Sequence, residues 1–75
     1  MIIIKNNTDR KYSFIEAWNE LIKGNIITSN ETNYSYRVDR KNRKIKFFNK
    51  SLSTWQTCNY ISTDEILNTW TSKVQ

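Results

Sequence analysis

Two Ser-x-x-Glu segments, Ser13-Phe14-Ile15-Glu16 and Ser62-Thr63-Asp64-Glu65, constrain this chain more than any other feature. Each is a capping box, in which the serine hydroxyl accepts the backbone N–H three residues on and the glutamate reaches back to the serine N–H. A helix is therefore predicted to start at each. After the first, apolar residues fall at Phe14, Ala17, Trp18, Leu21 and Ile22, the spacing of one buried helical stripe, and Gly24 ends it as a left-handed cap. After the second the run is short. Either Ile66, Leu67 and Trp70 form the buried side of a brief helix, or the chain turns extended at Trp70 and adds a last strand through Val74.

Between the boxes the periodicity changes. Thr28–Asn33 reads as a polar loop, and Tyr34-Ser35-Tyr36-Arg37-Val38 alternates as a strand with its tyrosines and Val38 on one face. Arg40-Lys41-Asn42-Arg43 is a charged turn, in which Asn42 is the residue suited to a positive φ, and Lys44-Ile45-Lys46-Phe47-Phe48 is the hairpin partner. Thr54–Cys58 reads as a further strand, and Ile2–Ile4 as an edge strand or a hydrophobic tail. The expected fold is α+β: an N-terminal amphipathic helix packed on a small antiparallel sheet, with a short C-terminal helix or turn before the last strand. Residues 1–75 form a single small domain, since the chain contains no proline and no linker-like stretch. A core this small contributes only ~3–5 kcal/mol net, so oligomerisation would help it.

Composition excludes several function classes. With no histidine and a single cysteine, Cys58, the chain lacks the usual general base, the commonest metal ligand and any internal disulfide. Asp64 and Glu65 are adjacent and point apart, so they cannot flank one scissile bond, and a lone glycine rules out a Gly-rich phosphate loop. No catalytic residue, metal or cofactor is expected. No apolar run reaches the ~20 residues of a membrane span, and Lys5 interrupts the opening isoleucines too soon for a secretory signal. The cytoplasm is the default location. Abundant asparagine, isoleucine and lysine suggest a low-GC source.

The charge is informative. Twelve basic side chains against seven acidic give +5, and the hairpin region 37–50 carries Arg37, Arg40, Lys41, Arg43, Lys44, Lys46 and Lys50 against Asp39 alone. It is interleaved with Tyr34, Tyr36, Phe47 and Phe48. Such a surface attracts a phosphate-bearing ligand or a nucleic-acid backbone, or it is a solvated edge whose cations block strand-to-strand aggregation. Trp18 belongs to the helix stripe. Trp55, flanked by polar Ser53, Thr54, Gln56 and Thr57, is either a pocket or interface residue or part of the core. Cys58 reads as a small buried residue.

Phe14-x-x-Ala17-x-x-x-Leu21-x-x-Gly24 and Thr63-Asp64-x-Ile66-x-Asn68-x-Trp70 together resemble the motifs of the second Thoeris anti-defence family. Its members are small phage proteins that sequester a cyclic ADP-ribose immune signal, and one relative acts as an anti-CRISPR. The resemblance implies an α+β fold, a homodimer or homotetramer, and a ligand held noncovalently in a pocket shared between subunits, in the host cytoplasm. It also implies aromatic side chains around the adenine and polar groups near the closing motif for sugars and phosphates. Trp55 matches the family's tryptophan upstream of that motif, and Asn68 its asparagine. Where the family places a stacking tryptophan soon after the glycine, this chain has Ile27-Thr28-Ser29-Asn30, which leaves Tyr34 or Tyr36 for that role. Thr69 replaces the aspartate before the last tryptophan. The expected ligand site is thus Tyr34, Tyr36 and Trp55 for a base, Arg37 for a phosphate and Asn68 for a ribose edge. The expected function is non-enzymatic sequestration of a nucleotide-derived immune signal. Its alternatives are direct inhibition of a host defence protein, or a small nucleic-acid-binding regulator.

Overall fold

A computed structural model describes residues 10–74; the expected strand or tail at Ile2–Ile4 lies outside them. The elements run α1 (Phe14–Ile22), β1 (Ile26–Ser29), β2 (Ser35–Asp39), β3 (Lys44–Asn49), β4 (Thr54–Thr57), α2 (Thr63–Leu67) and β5 (Trp70–Lys73). The sheet is antiparallel in the order β4-β3-β2-β1-β5, so four strands form a meander and the chain then returns to add the fifth beside the first. This is the α+β arrangement expected, with the short helix and the last strand both present.

Both capping boxes close. Ser13 Oγ accepts the Glu16 N–H at 3.2 Å while Glu16 accepts the Ser13 N–H at 2.9 Å, and Ser62 and Glu65 repeat the exchange. That exchange, with the Arg10 guanidinium at 3.3 Å, outweighs desolvation and holds the Glu16 carboxyl below its usual range. At the other end of α1, Gly24 sits at φ +104°, and the Gly24 and Asn25 amides bond the Leu21 and Glu20 carbonyls. This is a Schellman closure, and only glycine adopts its C′ conformation without strain. Arg40 donates to the Ile22 carbonyl, so a cation sits at the negative end of the helix.

The apolar stripe of α1 is narrower than its spacing suggests. Ala17 and Leu21 are fully buried with Phe14 and Trp18 packed against them, but Ile22 is 53% exposed. The residue is the last of α1, next to its C-cap Lys23. The core consists of Ala17, Leu21, Ile27, Tyr36 and Trp70. Trp70 anchors it, its ring 5.5 Å from Phe14 and 5.6 Å from Tyr36 between centroids, and its indole N–H donating to the Glu65 carbonyl at 2.9 Å. Backbone bonds in both directions at 2.8 Å join Tyr12 to Trp70, so the segment entering α1 also pairs with β5.

Four further expectations need correction. The polar loop expected at Thr28–Asn33 begins too early: Thr28 and Ser29 belong to β1, paired to β2 on one side and to β5 on the other. Ser29 is buried, and its hydroxyl accepts the Glu31 and Thr32 amides, which makes it the start of the tight turn that follows. In the β2–β3 turn the positive φ falls on Arg43 (55°), while Asn42 bonds the Asp39 carboxylate through both its side chain and its backbone N–H. The fourth strand stops at Thr57, with Cys58 half-buried just beyond it. Finally, α2 buries Glu65 rather than Ile66 and Leu67, which are 39% and 76% exposed. Trp70 is buried from β5, the second of the two arrangements considered for it.

Candidate functional site

The two faces of the sheet have different chemistry. Side chains alternate along each strand, and the registers Ile27↔Tyr36, Tyr36↔Phe47 and Ile27↔Ser72 put Ile27, Tyr36, Val38, Ile45, Phe47 and Trp70 on the face covered by α1 and α2. The same registers put Arg37, Lys46, Phe48, Trp55, Thr28 and Lys73 on the other face. Among the described residues, no helix lies against that second face.

On this open face, Arg37 and Trp55 come together. The guanidinium carbon of Arg37 is 4.4 Å from the centroid of the Trp55 ring, reaching from β2 across β3 to β4. Phe48, on the intervening strand, meets Trp55 edge-on at 5.3 Å. A cation over an indole is held by the ring quadrupole. The contact holds the guanidinium against the indole before any ligand arrives. Among the described residues, the ion pairs are Arg10–Glu16 and Lys23–Glu20, and neither lies on this face. Lys44, Lys46 and Lys73 complete the cationic set, and Lys46 donates to Thr57 at 3.1 Å. Among the described residues, Asp39 is the one carboxylate on the face. Its Asn42 hydrogen bonds, and more weakly the charge of Lys46, hold it below its usual range, so it is ionised at neutral pH.

The covered face holds a cavity of about 450 Å³ lined by Tyr34, Tyr36, Phe47, Cys58, Tyr60 and Glu65 among others. Tyr34 stacks obliquely on Phe47 at 5.6 Å, and Tyr60 stands 80% exposed at the rim. Glu65 is 4% exposed and fully bonded. One of its oxygens accepts from the Tyr36 hydroxyl at 2.6 Å and from Thr32 at 2.8 Å; the other accepts from the Ser62 N–H and hydroxyl. Burial alone would raise the Glu65 carboxyl, but these hydrogen bonds outweigh it and hold the group below its ordinary value. Burial, then the bond to Glu65, drives Tyr36 far above the usual phenol range. Burial likewise raises the Cys58 thiol, against the hydrogen bond to the Tyr60 carbonyl. With its lone pairs taken, Glu65 has none free to act as a base, and Cys58 is held as a neutral thiol. The cavity lining carries no cation, so it suits neutral groups rather than phosphates.

The expected site residues are therefore divided. Arg37 and Trp55 meet on the open face. Tyr34 and Tyr36 lie on the opposite one, Tyr36 within the core at 2% exposure. Asn68 ends α2, its amide donating to the Asp64 carbonyl at 2.8 Å. Sequence reasoning singled out Lys46 only as one of many hairpin cations and did not select Phe48 or Lys73. The alternation Lys44, Lys46, Phe48 was the signal available for the first two, because residues two apart share a face. The chain matches no protein-family model, no curated protein and no solved structure. The described helices include none long and apolar enough to cross a membrane.

Proposed function

We propose that the protein binds a nucleotide-derived, phosphate-bearing signal on the open sheet face and holds it unchanged, acting as a non-enzymatic phage inhibitor of bacterial immunity in the host cytoplasm. The observation that carries this reading is the Arg37–Trp55 contact, flanked by Phe48 and by cations that outnumber Asp39 among the described residues of the face. A phosphate needs donors held in a plane, and a base needs a flat surface. The stack offers both, because the guanidinium is itself a plane on which a base can lie. Among the described residues, the face offers cationic donors and aromatic rings. Sequestration asks for binding alone.

The homodimer or homotetramer implied by the family resemblance is part of the proposal. A flat face contacts one side of a ligand, and a second copy would supply the other. Two such faces repel each other until an anion lies between them, so assembly is expected to tighten with ligand.

Thermal unfolding against cyclic ADP-ribose isomers, cyclic di- and trinucleotides and mononucleotides tests the reading. A ligand at a hundred times its dissociation constant adds ~2.7 kcal/mol, and each kcal/mol raises the midpoint of a domain this size by ~4–8 °C. The expected result is a shift of roughly 10–20 °C with one nucleotide, which is lost in Arg37→Gln and Trp55→Ala and followed by recovery of the ligand intact. A flat response across the panel would overturn it and point to a host defence protein as the target.

A further inference from the structure

Arg37 does not stand alone on the open face. Lys46 is its cross-strand partner on β3, and on the other side the β1–β2 register, continued by one residue, brings Ile26 beside it; Ile26 in turn pairs with Lys73 on β5. Lys46, Arg37 and Lys73 thus form one row running across the sheet. Strands lie ~4.8 Å apart, so the row spans three strand spacings, about 14 Å. A parallel row holds Trp55, Phe48, Ser35, Thr28 and Thr71, aromatic at one end and hydroxylic at the other. The Thr28 and Ser35 hydroxyls are already bonded at 2.8 Å, which gives that end of the row a fixed polar floor.

We infer that this face is a track for single-stranded nucleic acid, lying across the strands with successive phosphates on Lys46, Arg37 and Lys73 and a base against the Arg37–Trp55–Phe48 cluster. The inference rests on the proposed nucleotide site and extends it to a polymer. Three points favour this occupant. A mononucleotide seated at Arg37 leaves Lys73 unused two strands away, whereas a single strand of up to about four nucleotides reaches along the whole row. Unstacked bases expose the π-faces that an aromatic platform needs, while those of a duplex are buried in its stack. A second copy of the chain alone, with no anion between the faces, would bring like charge against like charge.

The test is fluorescence anisotropy of the full chain with labelled oligothymidylates of one, two, four and eight nucleotides. A duplex and an oligoglutamate of matched charge serve as competitors. Affinity is expected to climb at least tenfold from the mononucleotide to the tetranucleotide and to fall roughly ten- to twentyfold between 50 and 200 mM salt, as three single-strand phosphate contacts require. Trp55→Ala and Arg37→Gln should weaken every length, Trp55→Ala by about tenfold or more. Lys73→Gln should weaken the tetranucleotide about three- to tenfold and leave the mononucleotide untouched. Lys41→Gln, in the turn and off the face, should change neither. Circular dichroism of each variant separates lost binding from lost fold, and Arg37→Gln carries the test should Trp55→Ala not fold.

Equal affinity for one and four nucleotides, with Lys73→Gln silent, would overturn the track and leave the nucleotide site standing. Binding of the tetranucleotide that ignores Arg37 and Trp55 would overturn both. Competition by oligoglutamate as strong as by oligothymidylate would reduce the face to a general polyanion surface, and the track would fail. No binding at any length would overturn the track, while the nucleotide site would stand or fall on the thermal-unfolding panel.

Discussion

Replacing Glu65 by glutamine keeps the shape of a buried side chain and removes its charge. In the native fold Glu65 accepts four hydrogen bonds, two on each oxygen, from Tyr36, Thr32 and Ser62. Glutamine has one acceptor oxygen. The Ser62 N–H can only donate, so that oxygen turns toward Ser62 and the amide NH2 faces the Tyr36 and Thr32 hydroxyls, which must rotate to accept. All four charge-assisted bonds thereby become neutral ones, each up to ~1 kcal/mol weaker, and recovery of the desolvation cost of the buried carboxylate offsets a large part of that loss. The net loss is about 1–2 kcal/mol, or a midpoint lower by roughly 5–15 °C. The pH dependence follows from the sign of the shift. The folded-state value lies below the ordinary one, so the stabilisation is fully present above the unfolded carboxyl value of ~4.3 and disappears as pH falls through the folded one. Thermal melts of both proteins at pH 7 and pH 3 are the assay. A gap that is wide at pH 7 and narrow at pH 3 is expected, and a Tyr36→Phe double-mutant cycle should give a coupling of ~0.5–3 kcal/mol at pH 7 only. A glutamine variant as stable as the parent at pH 7, or a gap indifferent to pH, would mean that desolvation cancels the network.

Four further substitutions test the fold. Trp70→Ala should cost ~3–5 kcal/mol, the whole stability of a domain this small, and leave the chain unfolded by circular dichroism at room temperature. Ser13→Ala removes the cap of α1 and should lower the chemical-denaturation stability by ~1 kcal/mol. Gly24→Ala meets nothing within 4 Å, so its cost, ~1 kcal/mol by urea titration, is the conformational one of placing a Cβ at φ +104°. Ile22→Ser, on a side chain 53% exposed, should move the midpoint by no more than ~0.5 kcal/mol, in contrast to a residue of the buried stripe.

Local chemistry was legible in the sequence, and distant pairing was not. The capping boxes and the β2–β3 hairpin depend on residues close together in the chain, and they appear where their patterns indicate. The first strand escaped notice because Thr28 and Ser29 are polar, and what makes them a strand is β5, whose Trp70 pairs with Ser29 across more than half the chain. The burial of Glu65 rather than Ile66 was hidden for a similar reason, since its partners Tyr36 and Thr32 come from other elements. The site divides along the same line. That Arg37 reaches Trp55 depends on two registers and a skipped strand, which no motif encodes. One point was available all the same. Tyr36 and Arg37 are neighbours in a strand, so their side chains leave opposite faces and cannot serve one ligand within a single subunit.

A nine-residue helix and a five-residue one cannot cover a five-stranded sheet on both sides. The fold places most of its apolar side chains on one face, and among the described residues no helix covers the other, an arrangement that antiparallel sheets tolerate. Folding asks little of the second face beyond solubility. Mixed charges and threonines would meet that demand, and Thr28, Thr57 and Thr71 do so. Arg37, Lys46 and Lys73, none of them in an ion pair among the described residues, and the large rings of Phe48 and Trp55 beside them, go further: like charges in a row repel, and half-buried aromatics on this face add little to a core on the far side of the sheet. The covered face is explained by packing. The proposed ligand, flat and anionic, would account for the open face, so the variants that matter for function are expected to lie at Arg37 and Trp55, while those that matter for stability lie at Glu65 and Trp70.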